Sequence, residues 1–409
     1  MRSVAVVHKD LSAKGGAEAV AVNVLEALQP QYDVTLLTLQ APDVASLNAY
    51  YDADVDADAL TVRRAGRVAS AINDRFGLRY YLLQNALLGR LARRHADEFD
   101  LVISTLNELG LGAGSIQYVH FPFDWNAALS DRDDIFHDSV PADSLYQRLC
   151  SAIADVDERE LAASVLLANS EWTAGKFTEA YGTRPEVLYP PVDTRGFTDR
   201  PWAERENGFV TIGRVERSKR TLELIGVMDA LRDRGHDVHL HVVGPAAKEA
   251  YARRLADVAA DRPYIEVEGE LQRAELVDLI CTHRYGIHGK EYEHFGMAVA
   301  ELAAGGTVPF VPATGGQRAI VGERDPLLYD SLADCVDRIN RVLADPEMQR
   351  ELQMDPAEIE RQFGRERFRT AIRATVADAI GDGGDDGDDA DDDLPEPTVR
   401  RPASASADD

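Results

Sequence analysis

Two carboxylates, Glu293 and Glu301, stand eight positions apart where a polar loop passes into the apolar run Phe295-Gly296-Met297-Ala298-Val299-Ala300. The pattern leaves Glu293 in the loop and starts a helix near Phe295 or Gly296, whose first amides form an anion site. Glu301 then falls about two turns in, roughly 12 Å further along the axis. The two carboxylates could thereby meet separate hydroxyl-bearing parts of one ligand. A buried Glu301 needs a polar partner, and ligand hydroxyls could supply it. In a chain so rich in acids the spacing alone is weak, and its setting inside an apolar helix before Gly305-Gly306 carries more weight.

A basic stretch precedes it: Gly213-Arg214-Val215-Glu216-Arg217-Ser218-Lys219-Arg220. It follows an apolar strand, the end at which doubly wound sheets bind ligands. Arg214 offers a planar fork and Lys219 a compact ammonium, a pair suited to a diphosphate. A solvated basic turn is the plain alternative. Near the amino end, Lys14-Gly15-Gly16-Ala17-Glu18 joins a strand to a helix, and glycine there lets backbone amides approach a ligand. It is neither the dinucleotide fingerprint nor a P-loop, and an ordinary turn would read the same.

Other reactive side chains give less. His120 ends an apolar strand and reads equally as a structural histidine. His236, His239 and His241 lie on or before a strand, with no third carboxylate ligand evident in sequence, and read as structural or solvated. Cys150, Cys281 and Cys335 are too far apart for metal-ligand or redox spacing. The Asp-rich pieces after Gly381 mimic metal motifs but sit in low-complexity sequence. No metal site is expected.

The elements that must hold these residues alternate strand and helix. Ser3–His8, Asp33–Leu39, Leu101–Thr105, Ile116–Phe121 and Val165–Asn169 read as strands, with helices at Gly16–Leu28 and Arg79–Ala96. Pro185–Val192 is a last extended piece, followed by a linker through Asp199–Asn207. The same grammar restarts with strands at Phe209–Gly213, Val238–Gly244, Ile265–Val267 and Thr307–Val311. Helices at Thr221–Arg234, Ala246–Ala260 and Arg273–Cys281 separate them. The expectation is an α/β chain of two doubly wound domains facing across a cleft, over residues 1–195 and 205–365. A helix over 366–380 would pack back on the first domain, and 381–409 reads as a disordered acidic tail.

The chain has 409 residues, 44 basic and 71 acidic, for a net charge of −27. The tail accounts for −9 of this, so the folded part is acidic as well. Six lysines among 44 basic residues and an acidic surface fit adaptation to high salt, and argue against nucleic acid as a partner. No apolar run reaches membrane-spanning length. A cytoplasmic protein with at most a peripheral membrane contact is expected.

Taken as an ordered set, these motifs resemble glycosyltransferase family 4, whose members have the GT-B fold. The set is Gly15-Gly16-Ala17-Glu18, Gly213-Arg214 with Lys219, and Glu293 with Glu301. A finer resemblance is to GDP-mannose-dependent mannosyltransferases of lipid-linked oligosaccharide assembly. It rests on Gln117-Tyr118-Val119-His120-Phe121-Pro122, Asn169-Ser170 with Trp172-Thr173, Gly286-Ile287-His288 and Glu293-His294-Phe295-Gly296. The resemblance implies retaining transfer of a hexose from a nucleotide sugar, GDP-mannose favoured, to a glycan or lipid-linked glycan, without a required metal. It implies that Arg214 and Lys219 hold the donor diphosphate and Glu293 contacts the sugar. Phe295, Gly296 and Met297 would offer amides and Glu301 would bind ribose. His120 would sit beside the donor sugar, and Gly15 and Gly16 would let the first domain approach the donor. A same-fold phosphorylase or epimerase, a nonenzymatic sugar-binding subunit and a tail-driven interaction protein are the rival readings.

Overall fold

The computed structural model describes residues 1–64, 81–123, 144–198 and 200–381. The expected acidic tail, from residue 382 on, lies outside the described residues, as do the first residues of the helix expected at Arg79–Ala96.

Two parallel sheets organise the chain. The first holds β1 (Ser3–Val7), β2 (Asp33–Thr38), β3 (Thr61–Arg64), β4 (Leu101–Ser104), β5 (Ile116–Val119), β6 (Val165–Ala168) and β7 (Glu186–Val187), in the order β3-β2-β1-β4-β5-β6-β7. The second holds β8 (Glu206–Ile212), β9 (His239–Val243), β10 (Ile265–Gly269), β11 (His283–Ile287), β12 (Val308–Pro312) and β13 (Leu328–Tyr329), in the order β10-β9-β8-β11-β12-β13. Strand order reverses at β1/β4 and at β8/β11, which opens a crevice at the carboxyl ends of each pair. Central strands such as Val4-Ala5-Val6-Val7 are apolar throughout because helices cover both faces.

Several elements escaped the sequence reading. β11 begins with His283-Arg284 and contains Gly286, a poor strand composition, yet it is hydrogen-bonded on both sides. β3 is an edge strand whose exposed Arg63 and Arg64 hide any alternation. The helices Leu332–Ala344, Pro346–Leu352 and Pro356–Phe363 are announced by Ser331, Asp345 and Asp355. Each of these side chains accepts from a first-turn amide.

The chain passes between the halves twice, and the crossings touch. Val192 N–H donates to Phe363 O at 2.8 Å, and Val192 forms a parallel bridge with Gly364. Beyond it, the helix Arg365–Ile380 returns to the first half and buries Phe368, Ile372 and Val376 in the core of the first sheet. Arg369 on that helix donates to Asn23 and Glu26 of the helix Gly16–Leu28.

Candidate functional site

The loops leaving β8 and β11 meet at the switch point of the second sheet. Lys219, in the short turn Arg217–Lys219, reaches Glu293 with Nζ 2.7 Å from Oε2. Its side chain lies along Gly213, where an added Cβ would stand 3.3 Å from Lys219 Cε. His288, just past β11, is buried and places Nε2 3.2 Å from the same Glu293 oxygen, while Lys290 Nζ lies 3.2 Å from Oε1. A carboxylate only accepts, so His288 Nε2 carries the proton. Burial by itself would raise the Glu293 pKa. The Lys219 and Lys290 charges and the His288 bond outweigh it and hold the carboxyl well below its usual range. Two ammoniums around one carboxylate leave the cluster net positive. Arg214, the residue after Gly213, is exposed.

A glycine turn fixes the Glu293 backbone. Gly315 has φ +77°, and a Cβ there would lie 2.4 Å from Glu293 O. Gly316 N–H donates to Glu293 O at 2.8 Å, and Gln317 Nε2 donates to Lys290 O at 3.0 Å. No side chain larger than hydrogen fits where the two loops touch.

His294 carries the contact to the first half. Its ring stacks on Phe121 at 4.7 Å and on Trp172 at 5.9 Å between centroids, and its carbonyl accepts from Ser170 Oγ at 2.5 Å. Ser170 also caps the helix Glu171–Tyr181 through Thr173 N. Burial, then the Lys290 charge, lowers the His294 pKa to about 3.

The first half contributes at the end of β1. Glu18 Oε2 accepts from Gly15 N at 2.9 Å, and Glu18 Oε1 lies 3.8 Å from His8 Nε2. Burial opposes ionisation of Glu18, but the His8 and backbone bonds bring its pKa down to about 2. Gly16 begins the helix and faces the other half: a Cβ there would sit 3.2 Å from Met297 Cγ. His120 follows β5, with Nε2 3.1 Å from Thr105 O and its amide bonded to Asn107 Oδ1. Burial lowers its pKa to about 4. The Thr105 carbonyl accepts only, so Nε2 holds the proton and Nδ1 the lone pair.

The helix after Glu293 starts at Met297, with Gly296 (φ +110°) as its cap, and Phe295 is buried among Tyr189 and Phe363. Glu301 is therefore little more than one turn in, closer to the helix start than the expected two turns. Its partner is protein: Arg273 Nη1 donates to Glu301 Oε1 at 2.7 Å. Burial raises the Glu301 pKa against the pull of Arg273. Arg273 also donates to Asp193 O, and the Asp193 carboxylate pairs with Arg365 at 2.8 Å and Arg195 at 3.0 Å.

Glu293, Lys219, Gly213 and the helix starting at Met297 thus converge, and Gly16 meets them from the other half. Glu301 joins a separate network around Asp193. Lys290, Arg273, Asp193 and the Phe121–Trp172–His294 stack were not singled out from sequence as contacts. Lys290 alone had a signal, three residues before Glu293 in a lysine-poor chain.

Comparison with known proteins identifies the family and the fold. Residues 14–195 match the family described as Glycosyltransferase Family 4, and residues 194–356 match Glycosyl transferases group 1. The chain is 24% identical over 173 residues to the mouse GDP-Man:Man(3)GlcNAc(2)-PP-Dol alpha-1,2-mannosyltransferase, covering 38% of this chain and 35% of that protein. The Dictyostelium discoideum protein of the same name is 24% identical over 229 residues, covering 50% of this chain and 45% of the relative. The matches thus span less than half the length of these two relatives. Among solved structures, HepE of Anabaena with UDP and glucose superposes with TM-score 0.64 at 16% identity, covering 92% of this chain and 100% of that one. Sucrose-phosphate synthase of Thermosynechococcus elongatus gives 0.68 at 15%, covering 94% and 100%. The shared architecture is the GT-B fold.

Proposed function

Because this chain belongs to the glycosyltransferases, with a family 4 domain and a group 1 domain in tandem on a GT-B fold, we propose that it moves a hexose from a nucleotide-sugar donor to a glycan or lipid-linked glycan. GDP-mannose is the favoured donor. The carrying observation is the part-buried Glu293 carboxylate held ionised between Lys219 and Lys290 at the β8/β11 switch point, a net positive spot in a chain of net charge −27.

The reaction develops negative charge on the departing nucleoside diphosphate and positive charge on the sugar ring. Lys219, Arg214 and the helix end at Met297 serve the first, as preorganised charges that need no rearrangement when the bond breaks. Glu293, kept anionic by its neighbours, faces the second. His120 presents a neutral ring from the opposite half, and Gly16 allows the close approach of that half. Closure of the cleft would exclude water and suppress donor hydrolysis. Among the described residues no helix is long and apolar enough to cross a membrane. A lipid-linked acceptor would therefore be met at the membrane surface.

The test is a screen of GDP-mannose, other GDP-sugars and UDP-sugars for binding, hydrolysis and transfer in high salt, with a lipid-linked glycan extract as acceptor. The reading expects GDP-mannose turnover that Lys219→Ala lowers at least ~100-fold. A UDP-sugar winning the screen corrects the donor alone. A chain that neither binds nor hydrolyses any nucleotide sugar refutes the activity.

A further inference from the structure

The amino ends of the strands in the second sheet, opposite the donor crevice, gather a separate group of side chains. His239 and His241 share one face of β9, His283 opens β11, Glu206 opens β8, and Glu266 and Glu268 lie on β10. Sequence spacing gave His239 and His241 no third ligand. The sheet supplies it, because the order β10-β9-β8-β11 brings in partners far away in the chain.

His239 Nε2 lies 3.0 Å from His283 Nε2, and the ligand atoms of His239, His241 and His283 fall within 4.8 Å of one another. Two imidazole nitrogens on one tetrahedral ion stand about 3.3 Å apart, given metal–nitrogen bonds of about 2.0–2.1 Å. On His283 and His241 the other ring nitrogen is already occupied. His283 Nδ1 lies 2.7 Å from Leu279 O, so it donates there and its Nε2 is a bare lone pair. His241 Nδ1 is 2.6 Å from Glu268 Oε1, a carboxylate that only accepts, which frees Nε2 on that ring as well. Such outer bonds orient metal-ligating histidines and fix their tautomers. Glu206 Oε2 lies 3.6 Å from His239 Nε2 on an exposed side chain that can turn toward the three rings.

The backbone makes room for this arrangement. His239 crosses over Gly208 of β8 to reach His283, and a Cβ on Gly208 would fall 2.1 Å from His239 Nε2. Any other residue at 208 would separate the two rings.

We propose that His239, His241 and His283, with Glu206 as the fourth donor, bind one divalent cation of the zinc class. The set of three imidazoles and one carboxylate suits Zn²⁺ over Mg²⁺ or Ca²⁺, which take oxygen ligands. The ion ties β8, β9 and β11 together at the end of the sheet away from the donor crevice, so its role is structural. This assignment stands independently of the donor and acceptor.

The experiment uses the untagged full chain, stripped with a chelator and titrated near neutral pH with Zn²⁺ and with Co²⁺, in excess Mg²⁺ to occupy the aspartate-rich terminus. One equivalent of Zn²⁺ should bind and raise the unfolding midpoint, and Co²⁺ should give the visible absorption of a four-coordinate ion. His239→Ala should weaken Zn²⁺ binding by about tenfold or more, the scale seen when a site loses even an outer-shell partner. Gly208→Ala should do likewise with all three histidines intact. Equal Zn²⁺ affinity in the wild type and in the His239→Ala/His283→Ala variant, or no binding by the wild type, would overturn the proposal.

Discussion

Lys219 and Glu293, 74 positions apart in the chain, form an ion pair with Nζ 2.7 Å from Oε2. The pair joins the loop after β8 to the loop after β11. Under the proposed function, each residue holds the other where the donor would arrive. Lys219→Ala and Glu293→Ala should each lower turnover at least ~100-fold, by analogy with the loss of one preorganised donor to developing charge. Steady-state transfer measured on both variants checks this, and near-normal rates in both would remove the site assignment.

The pH response follows from buried rings. Burial depresses His120 to about 4 and His294 to about 3, so both are neutral throughout the neutral range. A histidine depressed in this way contributes stability above its unfolded pKa of about 6.5, lost as pH falls through the folded value. kcat/KM should therefore show no acid limb near 6.5 and should fall only below about 5. A break at 6–7 that disappears in His120→Gln would show that this ring titrates in solution-like surroundings.

Glu18 gives a complementary window. Its pKa falls to about 2, so its stabilisation is complete above its ordinary value and fades as pH drops toward 2. The unfolding free energy of wild type minus that of Glu18→Gln should be constant above about pH 5 and narrow below it, from at most about 3 kcal/mol. Urea titrations across this range, at fixed high salt, measure the difference. A gap independent of pH would mean that the charge on Glu18 is not what His8 and Gly15 recognise.

Asp193 ties the second crossing region together. Its carboxylate meets Arg365 at 2.8 Å and Arg195 at 3.0 Å, and Arg195 and Arg365 also donate to Asp52 O. Removing it leaves Arg365 largely buried beside other arginines. Asp193→Ala should cost about 3 kcal/mol, in the range for breaking a buried pair from one side. A shift in unfolding free energy below about 0.5 kcal/mol, the level of ordinary surface changes, would contradict this.

Gly315 tests how tightly the Glu293 loop is held. Alanine there meets Glu293 O and a positive φ together. Gly315→Ala should reduce transfer by about tenfold or more, since small displacements of a positioning group are costly. Gly112, also at positive φ but with open space around it, is the control, and Gly112→Ala should leave transfer unchanged.

Much of this was legible in the chain. Alternating apolar runs and helical spacing announced both sheets, and Lys219 and Glu293, read from separate motifs, do meet at the β8/β11 switch point. What stayed hidden depended on contacts between distant elements. The Phe121, Trp172 and His294 rings come from three separate segments, and no local pattern announces that they stack. Glu301 looked free for a ligand because Arg273, its partner, sits in another helix. His283 drew no reading, since it lies past the helix expected at Arg273–Cys281 and β11 starts on polar residues. Cap signals at Ser331, Asp345 and Asp355 were readable but outweighed by short, mixed sequence around them.

The bridge between Val192 and Gly364 has a mechanical consequence. Two covalent connections at separate points would lock the halves, and a single one would leave them tethered at random. Two connections bonded side by side act as a single pin. Such a pin fixes the spacing of the halves at this one point and leaves the cleft rim to side-chain contacts such as that of Ser170 with the His294 carbonyl.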